Sequence, residues 1–340
     1  RICTLRQLAN KETHGSFRYE DWSDDASCVE DGDNVHSEVM VFYHAQKIYE
    51  LITAPEVGVF DRLPGRHVVD GAPVPLNLVA NYRSPTPVAM GDELTPTHVA
   101  FFLPREYLEM GMSTFAGLEG LEGDVLVFGQ GLRADFGYAG ETVYHEFGHF
   151  VTNATAELET IAIDEQGLTN LPRALDEGLA NTFAFLGSDQ SQLDRYLSDC
   201  LNVPGFDAEN TDRFPDDLYG HPVADGNAIL AANWDIYRSM LDEWGGTRAD
   251  FIRVLLETLI QLPRPLAGDA FSAYATTFLD ILEDNGWGGH LTSARVSFES
   301  RGVFEEARVI DISGWGGSGS RRMFMYGAST EPWNTVIHLD

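Results

Sequence analysis

The stretch "ETVYHEFGHF", residues 141–150, carries two histidines four apart with a glutamate directly after the first. Val143, Phe147, Phe150 and Val151 stand at i, i+4, i+7 and i+8, which makes one apolar stripe along a helix. At about 100° per residue, His145 and His149 lie roughly 200° and 240° from Val143, side by side and away from that stripe. The pair therefore reads as a metal-binding face, and the segment as the point where the chain turns from strands to helices.

Before it the pattern is short and apolar, bounded by Gly, Pro or Asp: 74–82, 97–104, 112–117 and 124–131 read as strands. "SEVMVFYHAQKIYELI" (37–52) is an earlier amphipathic helix with Val41, Ala45, Ile48 and Ile52 on its inner face. After residue 135 come five helical segments, beginning with "FGYAGETVYHEFGHFVTN" and "NLPRALDEGLANTFAFLG". Sheet first and helices second is an α+β arrangement. The expected division is a sheet-rich part over 1–155 ending in the HExxH helix, a helical part over 156–312, and a Gly/Ser linker with a tail over 313–340.

Composition narrows the partners. Lys and Arg number 22 against 53 Asp and Glu, so the net charge of −31 repels nucleic acid and anionic membranes. No run approaches the roughly 18 apolar residues of a membrane span. The first residue is Arg1, which fits a processed, exported chain, and Cys3 with Cys28 is a pairing open to it in an oxidising compartment. The acidic segment from Asp21 to Asp33 reads either as a solvated charge run or as a calcium loop.

Catalytic zinc takes three protein ligands and leaves one position for water. In "NLPRALDEGLANTFAFLG" the stripe Leu175, Leu179, Phe183 and Leu186 faces the core, with Asn170 or Thr169 at the cap and Pro172 in the first turn. Glu177 and Asn181 have the same offsets from Leu175 as His145 and His149 have from Val143. Glu177, 28 positions after His149, then completes a His2Glu set, and Asn181 is placed to hydrogen-bond a ligand ring. Glu146, beside a ligand yet rotated away from it, is the candidate general base.

"VYHEFGHFV" followed by "LDEGLAN" resembles the gluzincin metallopeptidases, the thermolysin and fungalysin groups in particular, and similarity extends over roughly residues 36–304. The resemblance implies a thermolysin-like α+β fold with the zinc cleft between its halves, and a secreted endopeptidase acting on protein or peptide. It also implies His221 as oxyanion donor, with Asp216 or Asp217 orienting it and Tyr219 competing, and substrate along an edge strand at Met112, Ser113, Thr114, Phe115 and Ala116. The chain departs from metzincins, having Thr152 and Thr155 where they need Gly and His, and lacks the GxMEN box of gluzincin aminopeptidases. No Tyr lies between His149 and Tyr196, and Asn181 stands where an Asp is common. These departures keep open a catalytically weak or silent relative that uses zinc for structure and its surface for binding.

Overall fold

The computed structural model describes residues 35–59, 68–69, 72–73, 76–85, 94–109, 118, 121–158, 162–164, 167–305, 308–311 and 322–325. The calls on Cys3, Cys28, the acidic segment and Met112–Ala116 all lie outside these residues. The fold is mixed α+β, with two compact units: residues 1–50, 65–150 and 192–206 form one, and 51–64, 151–191 and 207–340 the other.

The first unit opens with α1 (Val35–Ile52), whose expected inner face of Val41, Ala45, Ile48 and Ile52 is buried. After a two-residue hairpin, β1 (Val68–Val69) with β2 (Ala72–Pro73), come β3 (Asn77–Pro85), β4 (Leu94–Pro96), β5 (Ala100–Leu103), α2 (Arg105–Glu109) and β6 (Val125–Gly129). The four-stranded sheet has the order β4-β3-β6-β5. β3 and β6 run parallel, pairing Asn77 with Val125 and Val79 with Val127, and the other two pairings are antiparallel. All five residues of β6 are buried, as the unbroken apolar run "VLVFG" requires of a strand covered on both faces.

Gly129 ends β6 where a Cβ would collide with the carbonyl oxygens of Thr97 and Val99, so no larger residue closes the sheet here. The chain then turns through a short 3-10 segment, Phe136–Tyr138, capped by Asp135, whose Oδ1 accepts from Gly137 N at 2.9 Å and from Ser37 Oγ at 3.0 Å. That turn delivers the backbone into α3 (Gly140–Thr155). At Gly140 a side chain would strike the His44 ring. α5 (Arg195–Leu201) completes the unit. Its Cys200 is disulfide-bonded.

The second unit takes the last turn of α3 and a small antiparallel pair, β7 (Ala162–Asp164) with β8 (Gly167–Thr169). α4 (Leu171–Ser188) follows, with Asn170 at its N-cap and Pro172 in the first turn. The stripe of Leu175, Leu179, Phe183 and Leu186 is fully buried, but so is nearly every other residue of α4. The reason is that α4 is central rather than peripheral: α6 (Pro222–Asp225), α7 (Asn227–Asp242), α8 (Arg248–Gln261), α9 (Ala270–Leu282) and α10 (Leu291–Ser300) surround it or one another. Phe185, Trp234, Tyr237 and Phe251 pack edge to face or tilted at centroid distances of 5.2–6.3 Å, the geometry that ring quadrupoles favour. Inside this apolar mass one polar chain is fully satisfied. Tyr274 donates to Asn233 Oδ1 at 2.9 Å, Asn233 Nδ2 donates to Thr182 Oγ1 at 3.0 Å, and Thr182 donates to the Gly178 carbonyl at 2.9 Å. A strand pair, β9 (Arg308–Asp311) with β10 (Arg322–Met325), ends the described chain.

Candidate metal centre

His145 and His149 project from successive turns of α3, and their Nε2 atoms face each other at 3.1 Å with the rings nearly perpendicular. Two nitrogens each about 2.05 Å from a tetrahedral ion would lie about 3.3 Å apart. The observed separation is therefore close to what a shared zinc needs. A carboxylate oxygen of Glu177 on α4 joins them, and one ligand atom from each of the three lies within 4.8 Å of the others. The cluster fits a zinc site in donor type, number and spacing.

The sequence placed the histidines off the apolar stripe of α3. They are off it, yet not exposed: His149 is 4% accessible, Glu146 5% and Glu177 4%. Burial of this kind strengthens every charge interaction within the site. Glu146 follows the first ligand directly on the same buried helix, and Asn181 lies buried one turn beyond Glu177.

Five residues to which the sequence reading gave no role here surround the cluster. Arg173 Nη2 meets Glu177 Oε1 at 2.7 Å, and Arg173 Nη1 meets Asp176 Oδ2 at 2.8 Å. The Thr152 hydroxyl, one turn beyond His149, donates to Asp176 Oδ1. Asp194, at the start of α5 in the left-handed region (φ 57°), accepts from the Thr142 hydroxyl at 2.8 Å. Thr142 and His145 share a face of α3 at i and i+3. Burial raises the Asp194 carboxyl above its ordinary range, and the nearby His145 draws it back, with help from the Thr142 hydrogen bond. The i, i+4 spacing of Arg173 and Glu177 was visible in the sequence; the approach of Asp194 depends on the loop after α4 and left no local signal.

On the far side of Tyr144, the residue before His145, the Tyr144 hydroxyl and His44 Nδ1 are hydrogen-bonded at 2.6 Å. Burial, and after it the charge of Lys47, lower the His44 pKa to about 4, so the ring is neutral at pH 7.

His221 caps α6 with an exposed ring that makes no side-chain cap hydrogen bond. Asp216 pairs with Arg213 at 2.5 Å, and Asp217 Oδ2 accepts from Arg213 N. Tyr219 is exposed, its backbone N–H donating to the buried Asp225 carboxylate at 2.6 Å. Among the described residues, no helix is long and apolar enough to cross a membrane.

No known protein family and no curated protein matches the chain. Among solved structures, the precursor of protealysin, a metalloproteinase from Serratia proteamaculans, aligns with a TM-score of 0.45 and 13% identity over 87% of this chain and 85% of that one. A likeness that slight carries neither fold nor function, and the reading rests on the residues themselves.

Proposed function

We infer that this chain is a zinc-dependent endopeptidase of the thermolysin-like kind, secreted and acting on protein or peptide. One observation carries the reading: two histidines and a glutamate converge at ligand distance while an intact glutamate, Glu146, sits beside the first histidine on the same buried helix. A structural metal site needs no such base. Zinc bound here would lower the pKa of a coordinated water toward about 7 and polarise a carbonyl.

Glu146 takes a proton from the attacking water as its oxygen bonds to the scissile carbonyl carbon. It returns that proton to the amine as the C–N bond breaks, a role worth about 10²- to 10⁴-fold in rate. His145, His149 and Glu177 would hold the metal, Asn181 would support a ligand ring, and His221 would donate to the developing oxyanion. Substrate lies along Met112–Ala116, where backbone hydrogen bonds accept many sequences. The disulfide at Cys200 favours an oxidising compartment.

The pairing of Asp216 with Arg213 favours the second reading, a weakly active relative, since Asp216 is then engaged away from His221. One experiment separates the two. Casein hydrolysis should be abolished by a zinc chelator and restored by zinc, and Glu146→Gln should retain zinc while losing 10²-fold or more of the activity. A chelator-insensitive hydrolysis, or a fully active Glu146→Gln, would sink the peptidase mechanism.

A further inference from the structure

We propose that Arg173 is a positioning residue for the metal ligand Glu177, acting through a fork that also grips Asp176 and is anchored by Thr152. The proposal rests on the zinc reading above and concerns what holds one ligand in place. A glutamate side chain has several rotatable bonds, and fixing it costs rotamer freedom. Here Glu177 Oε1 is already held at 2.7 Å by the guanidinium, so the carboxylate meets the histidines with its orientation set.

The guanidinium is itself fixed, because its second arm meets Asp176 at 2.8 Å and Asp176 is held on its other oxygen by the Thr152 hydroxyl. Three groups on α4 and one on the last turn of α3 thus form a single connected set. An ordinary exposed i, i+4 ion pair on a helix contributes little. This one differs because Asp176 is 7% and Glu177 4% accessible, so neither carboxylate has water as a ready substitute for the cation. A planar fork can serve both at once; a lysine ammonium, a point charge on a flexible stem, cannot hold the same two directions.

An opposing effect exists. A cation beside a ligand repels an incoming divalent ion, so simple charge counting predicts tighter zinc binding once Arg173 is removed. The connected geometry predicts the reverse, because outer partners of metal ligands typically account for 10- to 100-fold in affinity. Zinc affinity by chelator competition on the full chain therefore decides the sign.

Arg173→Met should bind zinc about 10- to 100-fold more weakly than the parent. Arg173→Lys should recover less than half of that loss on a logarithmic scale. Thr152→Val should weaken zinc in the same direction by a smaller factor, and the two changes together should cost less than their product. With Co2+ in place of zinc, the visible absorption of Arg173→Met should change in shape, which a loss of stability alone does not produce. Far-ultraviolet circular dichroism confirms that each metal-free variant is folded.

Parental or tighter zinc affinity in a folded Arg173→Met, while Glu177→Ala loses the metal, overturns the proposal and leaves the zinc reading standing. A Glu177→Ala variant that holds zinc like the parent removes the ligand assignment itself, and the proposal with it. Full recovery by Arg173→Lys assigns the effect to charge and overturns the fork.

Discussion

Gly178 follows Glu177 on α4 and lies back to back with Gly226. A Cβ on Gly178 would stand 2.5 Å from the Gly226 carbonyl oxygen and 2.9 Å from Ile229 Cβ, and one on Gly226 would stand 2.6 Å from Gly178 N. A carbon normally approaches a carbonyl oxygen to about 3.4 Å, so Gly178→Ala must separate the two backbones by about 0.9 Å. The obstructing atom is main chain and cannot rotate away. Overpacking of this kind costs about 2–3 kcal/mol, against about 1 kcal/mol gained from alanine's helix propensity. The net expectation is a loss of about 1–2 kcal/mol in urea unfolding of the metal-free protein. Metal sites tolerate about 0.2 Å in ligand distance, so moving the backbone next to Glu177 should also weaken zinc about tenfold or more. A variant that gains about 1 kcal/mol and keeps parental zinc affinity would refute the close approach, leaving propensity as the only effect.

Three further outcomes follow from the same structure. His44, held neutral with a pKa of about 4 against 6.5 when unfolded, contributes stability that is complete above about pH 6.5 and declines as pH falls toward 4. The full shift corresponds to about 3 kcal/mol, reduced to about 1–2 kcal/mol because the ring is partly exposed. His44→Gln should flatten that decline, and parallel losses in parent and variant would exclude His44 as its source. His221→Ala should lower turnover by about 10²- to 10³-fold with zinc content and stability unchanged; parental turnover would pass the oxyanion role to Tyr219 or another donor. Thr247→Ala removes the side-chain half of a capping box at the start of α8, the bond from Asp250 N to Thr247 Oγ1, while the Thr247 backbone N–H keeps its bond to Asp250 Oδ2; it should cost about 1 kcal/mol in urea unfolding without altering zinc content, and an unchanged midpoint would show the cap to be solvated.

What the sequence made readable was local and periodic. The inner face of α1, the core stripe of α4 and the matched offsets of His145, His149 and Glu177 all follow from 3.6 residues per turn. They needed no knowledge of the loops. The burial of Glu146 and His149 was not readable, because amphipathic spacing marks which face meets the apolar core and does not say how exposed the opposite face is. Asp194 lies 45 positions after His149, past α4, and only tertiary packing brings it near His145. Arg173 was within reach of an i, i+4 rule but was overlooked because α4 was read for its apolar stripe.

The buried chain from Tyr274 through Asn233 to Thr182 has a practical consequence for following this protein in solution. Burial pushes the Tyr274 phenol far above its ordinary range, so it stays protonated while the helices around it stay closed. In a rapid jump to alkaline pH, exposed phenols should show their phenolate absorbance within the mixing time. The Tyr274 increment should arrive only as fast as the core opens, which gives the molecule an internal clock for unfolding that needs no added label.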